Sequence, residues 1–406
     1  MVKYRGLFFV FLAMPSSALI QRAIARSSAI RHPCGLVCSS GAASIPRMAP
    51  VATASSDVAT SSKRRVVFLG TPEVAATALG MLIDASRTRG EKNDDVLYAE
   101  PSWEVSAVVT QPPALQGRGK KRQLTPSPVG ALASKHRIPV MSPEIAKDPD
   151  FLTALEALDP DLCVTAAYGQ WLPKRFLDCP KFGTLNIHPS LLPRWRGASP
   201  VQRALEAGDE EVGVSVLWTV AKMDAGPVAA QRSRRLEGHE QAPELLEELF
   251  VAGTEELLTL LPAVWAGEVT QPPPRGDGKG TAPQDEDLVV AADKISPDEA
   301  QVCFATDSAL DIHNKCRAFS GWPGIWTLVP SGKLKIIETQ LVRDDEGDLL
   351  STARKMNEGP FFAERGGRMF AACGGGGVLE LITVQPPGKR RLSARAYLNG
   401  LKGMGS

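Results

Sequence analysis

Asn186, His188 and Asp224 are the side chains whose types and spacing could do chemistry together. They supply an amide donor, an imidazole and a carboxylate, the groups that stabilise a developing oxyanion and move a proton. Asn186 and His188 lie two apart in the run Leu185-Asn186-Ile187-His188, which stops at Pro189 and reads as a strand emptying into a loop. Side chains alternate along a strand, so these two share one face. Asp224 follows a second strand-like run, Val212 to Val220, and opens the turn Asp224-Ala225-Gly226. If the two runs are neighbours in a sheet, all three groups converge at one edge. Taken singly each has a plainer account: an Asp before Ala-Gly forms turns, and an Asn-x-His pair decorates a polar edge.

The elements that must position them belong to an alternating βα chain. Arg65 to Gly70 reads as a short buried strand, and a helix with apolar Val74, Leu79, Leu82 and Ile83 on one side follows from Glu73 to about Arg87. Gly70-Thr71-Pro72-Glu73 lacks the GxGxxG spacing of a dinucleotide site, which disfavours a nicotinamide enzyme. After a polar stretch, Thr88 to Glu100, come a strand from Trp103 to Thr110, a helix opened by Pro126-Ser127-Pro128 and a short strand from Ile138 to Met141. Pro160 to Gln170 repeats the pattern of buried strand into loop, and Leu172 to Leu177 reads as a helix. A parallel sheet flanked by helices is expected, with its ligand site beyond the carboxyl ends of the strands.

The strings NIHPSLLPRWRGASPVQRALEAGD and VSVLWTVAKMDAGPV, with GRGKK before them, resemble the formyltransferase family that uses 10-formyltetrahydrofolate, above all its members acting on methionyl-initiator tRNA. The similarity runs from about residue 64 to 402. It implies a Rossmann-like α/β catalytic domain over 64–265, a linker over 266–290 and a C-terminal β-barrel of the oligonucleotide-binding type over 291–404. It also implies that Asn186 and His188 donate to the formyl oxygen of the tetrahedral intermediate, while Asp224 charges His188 or holds its tautomer and helps relay the amine's proton to the departing folate nitrogen. No metal and no covalent enzyme intermediate are implied. Ser190, Leu191, Leu192 and Pro193 would line the folate pocket. Trp195 fits a core or a ligand role, and Arg194 and Arg196 would face either the pterin or the nucleic acid.

Two cationic stretches fit the same partner. In the implied tRNA-binding loop, Arg118, Lys120 and Lys121 follow glycines that let backbone approach closely, although Pro113 and Ala114 replace the charged pair usual after Gln111-Pro112. From Gly388 to Lys402 the cations Lys389, Arg390, Arg391, Arg395 and Lys402 stand with no acid among them, a second phosphate track. Either stretch alone would pass for a solvated face. Strands over Lys333 to Leu341, Arg368 to Cys373 and Val378 to Val384 suit the barrel, and Pro243 to Leu261 is helical.

The 406-residue chain is longer than one compact core, and 43% hydrophobic with 22% charged residues suits a soluble globular protein with no membrane span once mature. Met1 to Thr60 carries six cations against Asp57 alone, a net of +5 that leaves −4 for the remainder. Rich in Ser, Ala and Arg, that segment resembles a targeting sequence, with the apolar run Leu7 to Met14 adding a signal-like start. An organelle is expected, the mitochondrial matrix or the plastid stroma both remaining open. The seven cysteines form neither a disulfide framework nor a zinc set, and His136, His239 and His313 lack partners at useful spacing. A monomer is expected. The alternatives are transfer to a small amine such as glycinamide ribonucleotide, and a non-catalytic RNA-binding relative.

Overall fold

The computed structural model describes residues 63–87, 102–117, 122–270, 282–342, 362–365, 367–375 and 377–402. In chain order the first part runs β1 (Arg64–Gly70), α1 (Glu73–Arg87), β2 (Trp103–Val109), a ribbon of β3 (Ala114–Gln116) and β4 (Gln123–Thr125), α2 (Pro128–Lys135), β5 (Val140–Met141) and α3 (Pro149–Ala157). It continues with β6 (Leu162–Ala166), α4 (Lys174–Leu177), β7 (Thr184–His188), β8 (Arg196–Gly197), α5 (Pro200–Ala207), β9 (Glu211–Trp218), β10 (Val228–Arg235) and α6 (Ala242–Ala266).

Seven of these strands form one sheet in the order β10-β9-β7-β6-β1-β2-β5. The five from β7 to β5 are parallel, as the βα alternation predicts. At the edge β9 runs antiparallel to β7, and β10 antiparallel to β9, the two joined by residues 219–227. Alternation splits the core across the sheet: Val66 and Phe68 of β1 join α1, α2 and α6 on one face, and Val67 and Leu69 join α3 on the other. Local chemistry sets the helix starts. Ser127 accepts from the Gly130 amide at the start of α2, and Asp148 accepts from the Asp150 and Phe151 amides at the start of α3. The helix expected from Leu172 begins instead at Lys174, since Pro173 stands as its N-cap. α6 is long and apolar enough to cross a bilayer, but Leu245, Leu249, Phe250, Leu257 and Leu261 are buried in the core.

The second part comprises β11 (Ala291–Ala292), α7 (Ala309–Ala318), β12 (Ile325–Val329), β13 (Gly332–Leu341), β14 (Phe362–Arg365), β15 (Arg368–Ala372), β16 (Val378–Gln385), β17 (Leu392–Ser393) and α8 (Ala394–Lys402). It forms an antiparallel sheet ordered β12-β13-β16-β15-β14, with β17 on β16. Among the described residues no pairing joins β12 to β14, so the expected barrel is seen as an antiparallel sheet.

The two parts share a polar and apolar seat between α5 and α7. Arg203 of α5 reaches Glu206 and Glu299, each at 2.7 Å. His313 of α7 is buried; its Nε2 donates to the Gly238 carbonyl at 3.1 Å, and its Nδ1 accepts from the Thr339 hydroxyl at 2.9 Å. Burial lowers the imidazole pKa, which keeps the ring neutral in this tie. The sequence gives His313 no partner; both of its partners come from distant segments.

Candidate active site

Asn186 and His188 occupy the carboxyl end of β7, paired across the antiparallel ladder with Leu217 and Ser215. β9 leaves the sheet beside Leu185, and the following turn doubles back so that Asp224 meets both side chains. Asn186 Nδ2 lies 3.5 Å from Asp224 Oδ1, and His188 Nδ1 lies 3.7 Å from Asp224 Oδ2. The three groups named from spacing therefore meet, with His188 buried and Asp224 nearly so. A separation of 3.7 Å is too long for a hydrogen bond and leaves a gap that a substrate atom or a water can bridge.

Each side chain is held from behind. Thr165 of β6 donates its hydroxyl to Asn186 Oδ1 at 2.8 Å, which turns the amide Nδ2 toward Asp224. His188 Nε2 donates to the Trp195 carbonyl at 2.9 Å, since a carbonyl can only accept. In its neutral form the imidazole therefore carries its proton on Nε2 and shows a lone pair at Nδ1. The Trp195 carbonyl accounts for the tautomer, one of the two roles the resemblance implies for Asp224, and in that tautomer His188 has no N–H left for the formyl oxygen, to which the resemblance implies it donates. The Asp224 carboxylate accepts from the Gly197 amide at 3.0 Å through Oδ2. Asp224 itself adopts a left-handed backbone, φ 48°, which costs about 1–2 kcal/mol in a residue other than glycine.

Two glycines make this geometry possible. Gly197 has φ 132°, and a Cβ there would lie 2.6 Å from the Ala292 carbonyl oxygen. Gly226 closes the Asp-Ala-Gly turn so tightly against β9 that a Cβ would lie 1.6 Å from the Trp218 carbonyl oxygen. Both positions exclude any side chain.

The Ser190 to Pro193 loop is built inward. Ser190 is buried and donates its hydroxyl to the Arg194 carbonyl at 2.8 Å, while Ser215 donates to the Ser190 carbonyl at 2.6 Å. The Leu192 amide donates to Ser215 Oγ, and its carbonyl accepts from Gln231. Ser190 and Leu192 thus serve the loop's own conformation, which leaves half-buried Leu191 and Pro193 with surface to offer a ligand. Trp195 donates its indole N–H to Asp209 at 2.7 Å, and Arg194 pairs with the same carboxylate while stacking on the Trp195 ring. Arg196 is buried and turned toward Gln284 and Glu286.

Lys389, Arg390 and Arg391 are exposed on the connection between β16 and β17. Arg118, Lys120 and Lys121 lie outside the described residues, between the strands of the β3–β4 ribbon, which carries Leu115 and Leu124 exposed as a cross-strand pair. Among the described residues no three His, Cys, Asp or Glu side chains gather as a metal site. Thr165 and Gln284 are the contributors that residue spacing missed. Thr165 has no signal in a strand that is wholly buried, and Gln284 lies in a stretch whose composition reads as linker.

An α/β sheet that gathers an amide donor, an imidazole and a carboxylate at the end of a central strand, without a dinucleotide fingerprint, belongs to a group-transfer enzyme. Residues 65–259 match the family described as formyl transferase, and residues 294–402 match the formyl transferase C-terminal domain; the chain belongs to that family. It is 37% identical over 339 residues to a methionyl-tRNA formyltransferase of Methylococcus capsulatus, covering 82% of this chain and 96% of that one. A methionyl-tRNA formyltransferase of Rhodococcus erythropolis is 36% identical over 338 residues, covering 83% and 97%. Among solved structures, HypX from Aquifex aeolicus in complex with tetrahydrofolic acid aligns with a TM-score of 0.48 at 17% identity, covering 84% of this chain and 48% of that one.

Proposed function

We propose that this protein transfers the formyl group of 10-formyltetrahydrofolate to the amino group of methionyl-initiator tRNA. The observation that carries this is the meeting of Asn186, His188 and Asp224 around one gap, in a chain that aligns with methionyl-tRNA formyltransferases over nearly their whole length. The amine attacks the formyl carbon, and the oxygen gains negative charge beside the Asn186 amide. His188, neutral with its lone pair at Nδ1, accepts the proton the amine loses and returns it to the folate nitrogen as the C–N bond breaks. Asp224 stabilises the imidazolium while it exists. The Asn186 donor to the oxyanion contributes on the order of 3 kcal/mol.

Formyl-folate would lie along the Ser190 to Pro193 loop, with Leu191 and Pro193 in contact. Arg118, Lys120 and Lys121 would engage the acceptor end of the tRNA, and Lys389, Arg390 and Arg391 its phosphates. Residues 1–60 would direct the chain to an organelle, where it would act as a monomer in translation initiation. Support comes from the cationic, almost acid-free composition of that segment and from the exposure of the three C-terminal cations.

The test is transfer of labelled formyl from 10-formyltetrahydrofolate to charged initiator tRNA, run beside glycinamide ribonucleotide. Label on the aminoacyl-tRNA is expected, and label on the small amine alone refutes the substrate. Arg118→Ala is expected to weaken use of the tRNA with folate binding unchanged. Imaging a fusion of residues 1–60 reads the compartment.

A further inference from the structure

Asp224 holds a left-handed backbone in a turn whose own backbone bond runs from the Ala225 amide to the Lys222 carbonyl at 3.3 Å. A further restraint comes from a distant segment. Gln284 Nε2 donates to the Asp224 carbonyl at 2.9 Å and to the Gly226 carbonyl at 2.6 Å, so one carboxamide spans the turn. Its Oε1 accepts from Arg196 Nε at 2.9 Å. Arg196 precedes Gly197, whose amide donates to the Asp224 carboxylate. The same segment grips both loops again: Glu286 accepts from Arg196 Nη1 at 2.9 Å and from Lys222 Nζ at 2.6 Å, two residues before Asp224. Further on, β11 pairs with β8, and the Arg196 amide donates to the Val290 carbonyl.

Residues 284–292 therefore lie as a strap across the two loops that set the Asp224 carboxylate; Gln284 and Glu286 both bond the two loops, and Gln284 is the one of them bonded to Asp224 itself. None of the strap's groups lies within hydrogen-bond reach of Asn186 or His188. We infer that Gln284 is a positioning residue for Asp224, so that the segment leading into the C-terminal domain sets the geometry of the catalytic carboxylate. This rests on the formyl-transfer function proposed above.

A geometry role predicts a change in turnover rather than in binding, because misplacing a catalytic group by about 1 Å can cost up to about 100-fold in rate. Gln284→Ala and Gln284→Glu are compared with the wild-type chain for kcat, for KM of formyl-folate and of the acceptor, and for Tm. Glu keeps an acceptor for Arg196 but removes both donors to the turn and sets a carboxylate against two carbonyl oxygens. Both variants are expected to lose about 10- to 100-fold in kcat, with each KM within about twofold and Tm little changed. Wild-type turnover in Gln284→Glu overturns the inference, as does a raised KM with kcat intact. If the wild-type chain formylates only glycinamide ribonucleotide, the proposed substrate fails, and the same comparison is made on that amine. If it formylates neither acceptor, both fail.

Discussion

His188 Nε2 lies 2.9 Å from the carbonyl oxygen of Trp195, and that one contact decides which nitrogen of the ring does chemistry. With the proton committed to the backbone, the other nitrogen faces Asp224 across 3.7 Å. A bound amine reaching that edge can donate to the lone pair, and the carboxylate steadies the ring once it is charged. Trp195 reaches this position with a φ of 64°, and Asp209 holds its indole N–H.

Asn186→Ala removes the amide that faces the developing oxyanion, and His188→Ala removes the proton carrier. Each is expected to lower kcat by roughly 100- to 1,000-fold, while tRNA affinity stays near wild type because the reacting edge is a small part of the nucleic-acid contact. Steady-state kinetics beside a filter-binding assay reads both quantities. A tRNA affinity that collapses together with turnover would mean that these side chains hold the fold or the ligand instead.

Thr165→Val keeps the shape of a buried side chain and deletes only the hydroxyl that donates to Asn186 Oδ1. The amide is then free to turn its oxygen toward the reacting edge. A loss of about tenfold in kcat is expected, equivalent to one hydrogen bond of about 1.4 kcal/mol, with both KM values held. Unchanged turnover would show that Asn186 keeps its orientation without Thr165.

Much of this site was legible in the sequence because its side chains follow simple periods. Asn186 and His188 are two apart on a strand, and Asp224 begins a turn whose glycine is required by contact with the Trp218 carbonyl. The parts that were not legible are backbone groups and long-range partners. The Trp195 carbonyl and the Gly197 amide leave no signature in residue type, and Gln284 is separated from Asp224 by 60 positions. β10 was missed because its side chains are mostly polar: Arg232 and Arg234 pair with Glu255, Glu256, Glu240 and Glu248 around α6, so the strand lacks apolar alternation. β9 enters antiparallel to β7, a reversal that a βα count cannot foresee.

Replacing Lys389, Arg390 and Arg391 together with serine removes three exposed cations from the β16–β17 connection. If each neutralises one phosphate, the slope of log affinity against log salt is expected to become shallower by about 2 to 3. Measurement of tRNA binding across a salt series gives that slope directly. Formyl-folate binding should not move, and a parallel salt series in the variant would remove this stretch from the nucleic-acid interface.

Glu240 stands where β10 gives way to α6, and its backbone carbonyl accepts from Arg317 of α7 at 3.4 Å. Burial opposes its charge, but hydrogen bonds from the Arg234 guanidinium and from the Glu237 and Gly238 amides outweigh that, holding the carboxyl down at about 2. A carboxyl depressed in the fold binds its proton more readily once unfolded. Its contribution to stability is complete above the ordinary glutamate value of about 4.3 and drains away as pH falls from there toward about 2. Glu240→Gln cannot ionise, so the wild-type advantage over it is expected to be constant near neutrality and to shrink across that acid window. Urea unfolding of both chains at a series of pH values supplies the difference curve. A difference that stays flat through the window would show that the Arg234 pairing and the two amides do not hold this carboxyl below its unfolded value.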